Sequence, residues 1–283
     1  MRREVIEMLG PRQDGIYIDA TIGLGGHAED FLKLIGSDGM LIGIDRDEEA
    51  LKIVKERFVD KKLIIKRGSF SEMEALLVTE GISEVDGILF DLGVSMLQIK
   101  DKERGFSFFS NQRLDMRMDR RQKLSAWDVV NKYPEKELEK ILREFGEEKK
   151  ARMIAREIVK QRKNHTIDTC AELAEILEGI ARRNKGLHPA TKTFQALRIE
   201  VNRELEQLKK GLNSALRLLK KGGRICVISY HSLEDRIVKH FISDNAKKGV
   251  LKIITKKPRT PCDEEIRINP SSRSAKMRVA EKN

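Results

Sequence analysis

Apolar and polar residues follow two distinct patterns along this chain of 283 residues. Up to about Ser95, short and nearly unbroken apolar runs ("GIYIDA", "GMLIGID", "KLIIKRGSF", "EVDGILFDLGVS") alternate with stretches of helical spacing ("AEDFLKLI", "RDEEALKIVKERF", "SEMEALLVTEG"). Strands that are apolar on both faces, separated by amphipathic helices, predict a mostly parallel sheet covered on both sides.

The alternation then stops. From Glu103 to Asn202 the chain is charged and mostly helical, clearest in "EKELEKILREFGEEKKARMIAREIVKQRK" and in "TCAELAEILEGIARR", where Thr169 and Glu172 fit a capping box. The run "TKTFQALRIEVNRELEQLKKGLNSALRLL" reads as one helical stretch ending at Gly222-Gly223. Strand and helix resume in "GRICVISYHSLEDRIVKHFI", with Ser232 as the expected N-cap and Asp235 completing a box, and "LKIIT" and "AKMRVAE" are candidate late strands. The expected architecture is a discontinuous α/β domain, 1–102 with 203–283, interrupted by a helical domain over 103–202.

Composition narrows the partners. The formal net charge is +11, which favours a polyanion, with nucleic acid ahead of a membrane surface. Aromatic residues make up only 5% of the chain, too few for a broad platform that stacks single-stranded bases. No window reaches the length and apolarity of a membrane span, and the charged start "MRREVIEMLGPRQDG" lacks the apolar core of a secretory signal. Cys170, Cys226 and Cys262 are scattered and show no metal-ligand spacing, nor do the histidines. A reducing, cytoplasmic setting without structural metal is expected.

The candidate chemistry begins at "YIDATIGLGGHAED". Gly23-x-Gly25-x-x-Ala28 satisfies the dinucleotide-loop pattern, so NAD is one candidate ligand. Ligands of open α/β sheets sit beyond the carboxyl ends of the strands. Here three of those ends carry acids: Asp19, Asp45 and Asp91. Carboxylates suit the ammonium and sulfonium of S-adenosylmethionine and would repel a pyrophosphate. The plainer alternative is that Asp19 and Asp45 cap the helices that follow them. Ser69 and Phe70, after the third strand, could line an adenine pocket.

Several blocks, in order, carry a resemblance: "DATIGLGGHAED", "DGILFDLGVS", "RGFSF", "LDMRMD", "GEEKKARMIAREIV", "HPATKTFQALRIEVNREL", "GGRICVISYHSLEDRIVK" and "NPSSRSAKMRVAEK". Together they resemble the ribosomal small-subunit methyltransferase H (MraW) family over about Val5 to Lys282. The resemblance implies a class I, Rossmann-like S-adenosylmethionine-dependent methyltransferase with an inserted helical domain. It implies N4-methylation of a cytidine in the decoding region of 16S rRNA, in the small subunit or its precursor; a monomer or homodimer is expected. It also implies cofactor contacts at Gly25, Gly26, His27, Asp45, Phe70, Asp91 and Gln98. The chain departs from the family in having Leu24 where Arg is frequent, Met96-Leu97 where Ser-Pro is common, and no upstream His-x-Pro-Val stretch.

Cytosine N4 is a poor nucleophile, and an acceptor on its hydrogen would help it attack. Asp91 is the first candidate by position. In an extended "LDMRMD", Asp115, Arg117 and Asp119 share one face and Leu114, Met116 and Met118 the other. Asp115 then belongs either to a salt-bridged strap over an apolar groove or to the base pocket. Tyr230 or His231, after the fifth strand, could face the base. Basic runs at Lys149 to Arg152, Arg182 to Lys185 and Arg273 to Arg278 are candidate phosphate contacts, with Lys192 and Arg198 favoured beside "HPATKTFQ". Two other classes stay open: a nucleotide-dependent oxidoreductase, and a non-catalytic RNA-binding assembly factor.

Overall fold

The computed structural model describes residues 1–59, 62–180 and 188–283. It contains two compact units, Met1–Gly93 with Leu205–Asn283, and Val94–Glu204.

In the first unit the apolar runs form β1 (Ile16–Asp19), β2 (Met40–Asp45), β3 (Leu63–Arg67), β4 (Val85–Asp91), β5 (Leu219–Ser229), β6 (Leu251–Ile253) and β7 (Lys276–Lys282). The sheet order is β3-β2-β1-β4-β5-β7-β6. The pairings through β5 are parallel, and β7 runs antiparallel between β5 and β6. This is the expected class I, Rossmann-like sheet. The chain moves outward from β1 to β3 and then returns to place β4 on the other side of β1. The strand order therefore switches between β1 and β4, where a crevice for ligand forms.

Helices α1 (Arg2–Leu9), α2 (Gly26–Leu34), α3 (Glu48–Arg57) and α4 (Met73–Val78) precede or link the first four strands. Asp47, not Asp45, caps α3, its carboxylate accepting from Glu49 N–H at 3.2 Å. Gly25, not Asp19, occupies the N-cap of α2. The acids at the strand ends are thereby left for other work. Two apolar clusters sandwich the sheet, one including Ile18, Ile42, Ile88, Phe90 and Val227, the other Tyr17, Phe31, Leu41, Leu89 and Ile228.

The second unit holds α5 (Met96–Lys100), α6 (Ala126–Lys132), α7 (Glu135–Glu144), α8 (Ala151–Gln161), α9 (Cys170–Ile180) and α10 (Ala190–Asn202). Its own core joins Leu114, Leu138, Leu142, Ile154, Ile158, Leu173, Phe194 and Leu197, all almost fully buried. The unit starts at Val94 rather than 103, and a Ser95/Gln98 capping box opens α5 just after that boundary. It ends at Glu204 rather than 202.

The long helical run expected before Gly222 is two helices. Arg203 adopts φ 49 and ends α10, and α11 (Glu204–Leu218) follows. The neighbouring Asn202 is 3% exposed, and its side chain is committed to tertiary bonds that hold it in place. Gly222 and Gly223 then fall within β5 instead of acting as the helix stop. Among the described residues, no helix is long and apolar enough to cross a membrane.

Candidate active site

In register, Asp19 of β1 lies opposite Gly43 of β2 and Leu89 of β4, so Asp45 and Asp91 each extend two residues beyond it. Asp19 is the deepest of the three acids, 1% exposed, and its Oδ1 accepts from Thr21 N–H at 3.2 Å. Burial raises its pKa to about 6, against the opposing pull of His27 and of the Thr21 amide.

The loop after β1 turns sharply, with Gly23 at φ 50 and Gly25 at φ 78. A Cβ at Gly25 would fall 2.5 Å from the Phe58 ring, whereas one at Gly26 would meet nothing within 4 Å. Gly25 is thus needed for close packing, and Gly26 borders open space. The Gly23 N–H donates to Asp45 Oδ2 at 2.9 Å, and the Asp47 N–H donates to Asp45 Oδ1 at 2.9 Å. The Gly25 N–H donates to the Ile22 carbonyl at 2.8 Å. Two of the loop's amides are therefore turned inward. Burial raises the Asp45 pKa, partly offset by the Asp47 and Gly23 amides.

At the end of β4, Asp91 is gripped on several sides. Its N–H donates to Thr21 Oγ1 at 2.7 Å, and the Tyr230 hydroxyl donates to its Oδ1 at 2.8 Å. His27 Nε2, from the first turn of α2, lies 3.3 Å from Oδ2. Burial lowers the His27 pKa, but the Asp91 contact and the charge of Asp19 outweigh it, leaving a net rise. Burial, then the charge of Asp91, push the Tyr230 phenol well up, so it remains a donor at physiological pH.

Phe70, after β3, packs edge-on against Phe90 with ring centroids 5.5 Å apart. Gly211 of α11 lets that helix approach, since a Cβ there would fall 2.6 Å from Phe70 Cδ2. The Ser69 and Ser71 hydroxyls both donate to Gln207 Oε1 beside it, the first at 3.0 Å. A ring with polar side chains next to it suits a purine.

α12 (Ser232–Lys247) is capped one residue earlier than the serine-based pattern indicates. His231 is the N-cap and Glu234 completes the box, while Asp235 instead binds the Arg278 guanidinium at 2.6 and 3.2 Å. That pairing also occupies Arg278, one of the expected phosphate contacts. Histidine is not a usual cap, so only the fold reveals this box.

Thus the first unit brings together Gly25, Gly26, His27, Asp45, Phe70, Asp91 and Tyr230. Thr21, which sequence reasoning passed over, joins them. Its signal was a hydroxyl two residues past the acid of β1.

The second unit carries the other candidates. Gln98 is 4% exposed, and its Oε1 accepts from Ser95 N–H at 3.1 Å. "LDMRMD" has the two-faced form expected of a strap, with Leu114, Met116 and Met118 buried and Asp115 bound by the Arg117 guanidinium at 2.7 and 2.8 Å. Burial opposes ionisation of Asp115, and the Arg117 bonds outweigh it to leave a lowered pKa. Asn202 clamps the strap, accepting from Met118 N–H and donating to the Met116 carbonyl, each at 2.8 Å. Arg198 forms a two-pronged pair with Glu204 at 2.8 and 2.9 Å, and Lys192 donates to the Glu147 carbonyl at 2.9 Å. The basic run Arg182 to Lys185 lies outside the described residues.

The sequence profile of the MraW methylase family matches residues 1–283. A ribosomal RNA small subunit methyltransferase H from Caldicellulosiruptor saccharolyticus is 51% identical, over 99% of this chain and 96% of its own. One from Persephonella marina is 50% identical over 100% and 97%, and one from Clostridioides difficile 44% over 99% and 96%. With that identity along its whole length, and with a glycine loop and strand-end acids on a class I sheet, the chain belongs to the MraW methylase family.

Proposed function

We propose that this protein transfers the methyl group of S-adenosylmethionine to N4 of a cytidine in the decoding region of 16S rRNA. Its substrate is the small subunit or its precursor, and its setting the cytoplasm. One observation carries the reading: a carboxylate, Asp91, stands at the switch point of the sheet with donors on both oxygens and a second, buried acid, Asp19, behind it.

The donor set fits the cofactor. Carboxylates attract its cationic end, while a pyrophosphate would need loop amides that here bond to Asp45 and Ile22. S-adenosylmethionine would supply an electrophilic methyl group on a sulfonium sulfur. Asp45 offers the remaining lone pairs of its carboxylate to ribose hydroxyls, Phe70 an aromatic surface to adenine, and Gly25 and Gly26 a loop without side chains. His27 contributes through its contact with Asp91.

Asp91 accepts a hydrogen bond from the N4 amino group, orients its lone pair, and takes the proton as the nitrogen becomes cationic. Both oxygens of Asp115 are engaged by Arg117, which favours its structural role over direct contact with the base. The second unit places the RNA, with Lys149, Arg152 and Lys192 available to phosphates. A target base in folded rRNA must leave its stack to reach such a site.

The test is transfer of labelled methyl from S-adenosylmethionine to small subunits lacking the modification, followed by nucleoside analysis. The label is expected in N4-methylcytidine. Label in another nucleoside or in protein, or NAD binding in place of S-adenosylhomocysteine, would refute the proposal.

A further inference from the structure

Tyr230 follows β5 and is fixed at three points. Its N–H donates to Glu234 Oε2 at 2.8 Å, tying it to the first turn of α12. Its ring faces the turn after Asp91, where a Cβ on Gly93, at φ 97, would lie 3.5 Å from Tyr230 Cδ2. Its hydroxyl reaches Asp91 Oδ1 at 2.8 Å. The opposite oxygen of the carboxylate faces His27 Nε2 at 3.3 Å, while His27 Nδ1 is buried without a hydrogen-bond partner.

An imidazole with a hydrogen on Nε2, the nitrogen that faces the carboxylate, donates to Asp91. Each Asp91 oxygen then has one lone pair directed at a protein donor and one for a ligand. A carboxylate held by a single donor could still rotate about its Cβ–Cγ bond. One held from both sides, with its own N–H bonded to Thr21, is fixed.

We infer that Tyr230 is a positioning residue for Asp91, acting with His27 to set the carboxylate plane, rather than a residue that touches the target base. The inference rests on the methyl-transfer reading of Asp91. It gives the α12 box a purpose: Glu234 fixes Tyr230, and Tyr230 fixes Asp91.

The test is a double-mutant cycle in full-length protein, using Tyr230→Phe, Asp91→Asn and the pair. Phenylalanine keeps the ring against the Gly93 turn, and the thermal midpoint checks that each variant is folded. Tyr230→Phe should slow single-turnover methylation by about ten- to a hundredfold, the scale of losing a hydrogen bond to a charged group. The pair should be no slower than Asp91→Asn alone, because Tyr230 acts only through that carboxylate. Losses that multiply would place Tyr230 on the base, and a normal rate for Tyr230→Phe would remove it from the mechanism; either result overturns the inference.

A second readout is independent of RNA. In protein with labelled tyrosine Cζ, the resonance lost in Tyr230→Phe should shift in Asp91→Asn, and an unmoved resonance would again overturn the inference. If the wild-type protein transfers no methyl to small subunits, the functional reading fails, and this resonance alone decides whether Tyr230 is bound to the Asp91 carboxylate.

Discussion

Asp45 accepts the amides of Gly23 and Asp47, which shapes the glycine loop, and in the proposed function its remaining lone pairs hold the ribose. Asp45→Ala should weaken binding of S-adenosylhomocysteine by about 1.5–3 kcal/mol, the scale of hydrogen bonds to a charged group. Calorimetry measures it, and unchanged affinity in a folded variant would remove Asp45 from the ligand site. Asp19 makes a different prediction. Its folded pKa, about 6, lies above the ordinary 3.8, so the native state holds this proton more tightly than the unfolded chain. Stability is therefore lost as pH rises through that interval, and the ionised acid costs about 3 kcal/mol at neutral pH. Asp19→Asn should stabilise the ligand-free protein above pH 6, and the gain should disappear below about pH 4. Denaturant titrations at the two extremes measure it. A pH-independent difference would show that burial of the charge is not the cause. The same variant should bind S-adenosylmethionine less tightly, because a cationic ligand is what offsets the buried charge.

At the scale of elements, Asn202 joins the end of α10 to the backbone of the strap. Asn202→Ala leaves the Met118 N–H and Met116 carbonyl without partners in a buried place, and should cost about 2–5 kcal/mol of stability. Equilibrium unfolding checks this, and a loss below about 0.5 kcal/mol, the scale of a surface substitution, would contradict the clamp. The strands were legible in the sequence because short unbroken apolar runs such as "GILF", alternating with amphipathic helical stretches, fit strands buried on both faces of a sheet. The three acids were legible because such runs ended in them. Most of what stayed hidden depends on partners distant in the chain. The break at Arg203 adjoins an asparagine bonded to a strap 84 residues away or more. The Tyr230–Asp91 bond exists only once β5 lies beside β4 and spans 139 positions, whereas the His231 cap is local and stayed hidden because histidine is not a usual cap. The alternation of buried Leu114, Met116 and Met118 was legible as a period of two, but the positive φ of Met116 and the Asn202 clamp were not.

For the whole molecule, the apolar cores are separate, and the proposed function divides the labour between the units, chemistry in the first and RNA placement in the second. Each apolar cluster lies within one unit, so removing 103–202 takes away one core and leaves the two that sandwich the sheet. A chain with that segment replaced by a short linker should bind S-adenosylhomocysteine while failing to methylate small subunits. Retained methylation would contradict the role given to the insertion. The most direct test of the central claim is single-turnover methylation by Asp91→Asn at saturating cofactor and subunit, with filter binding to RNA alongside. The variant keeps the size of the side chain and one acceptor oxygen but loses the charge that favours a cationic nitrogen. The account predicts a rate lower by at least about a hundredfold, with RNA affinity nearly unchanged because phosphate contacts made elsewhere dominate it. A near-normal rate, or a loss confined to RNA affinity, would contradict it.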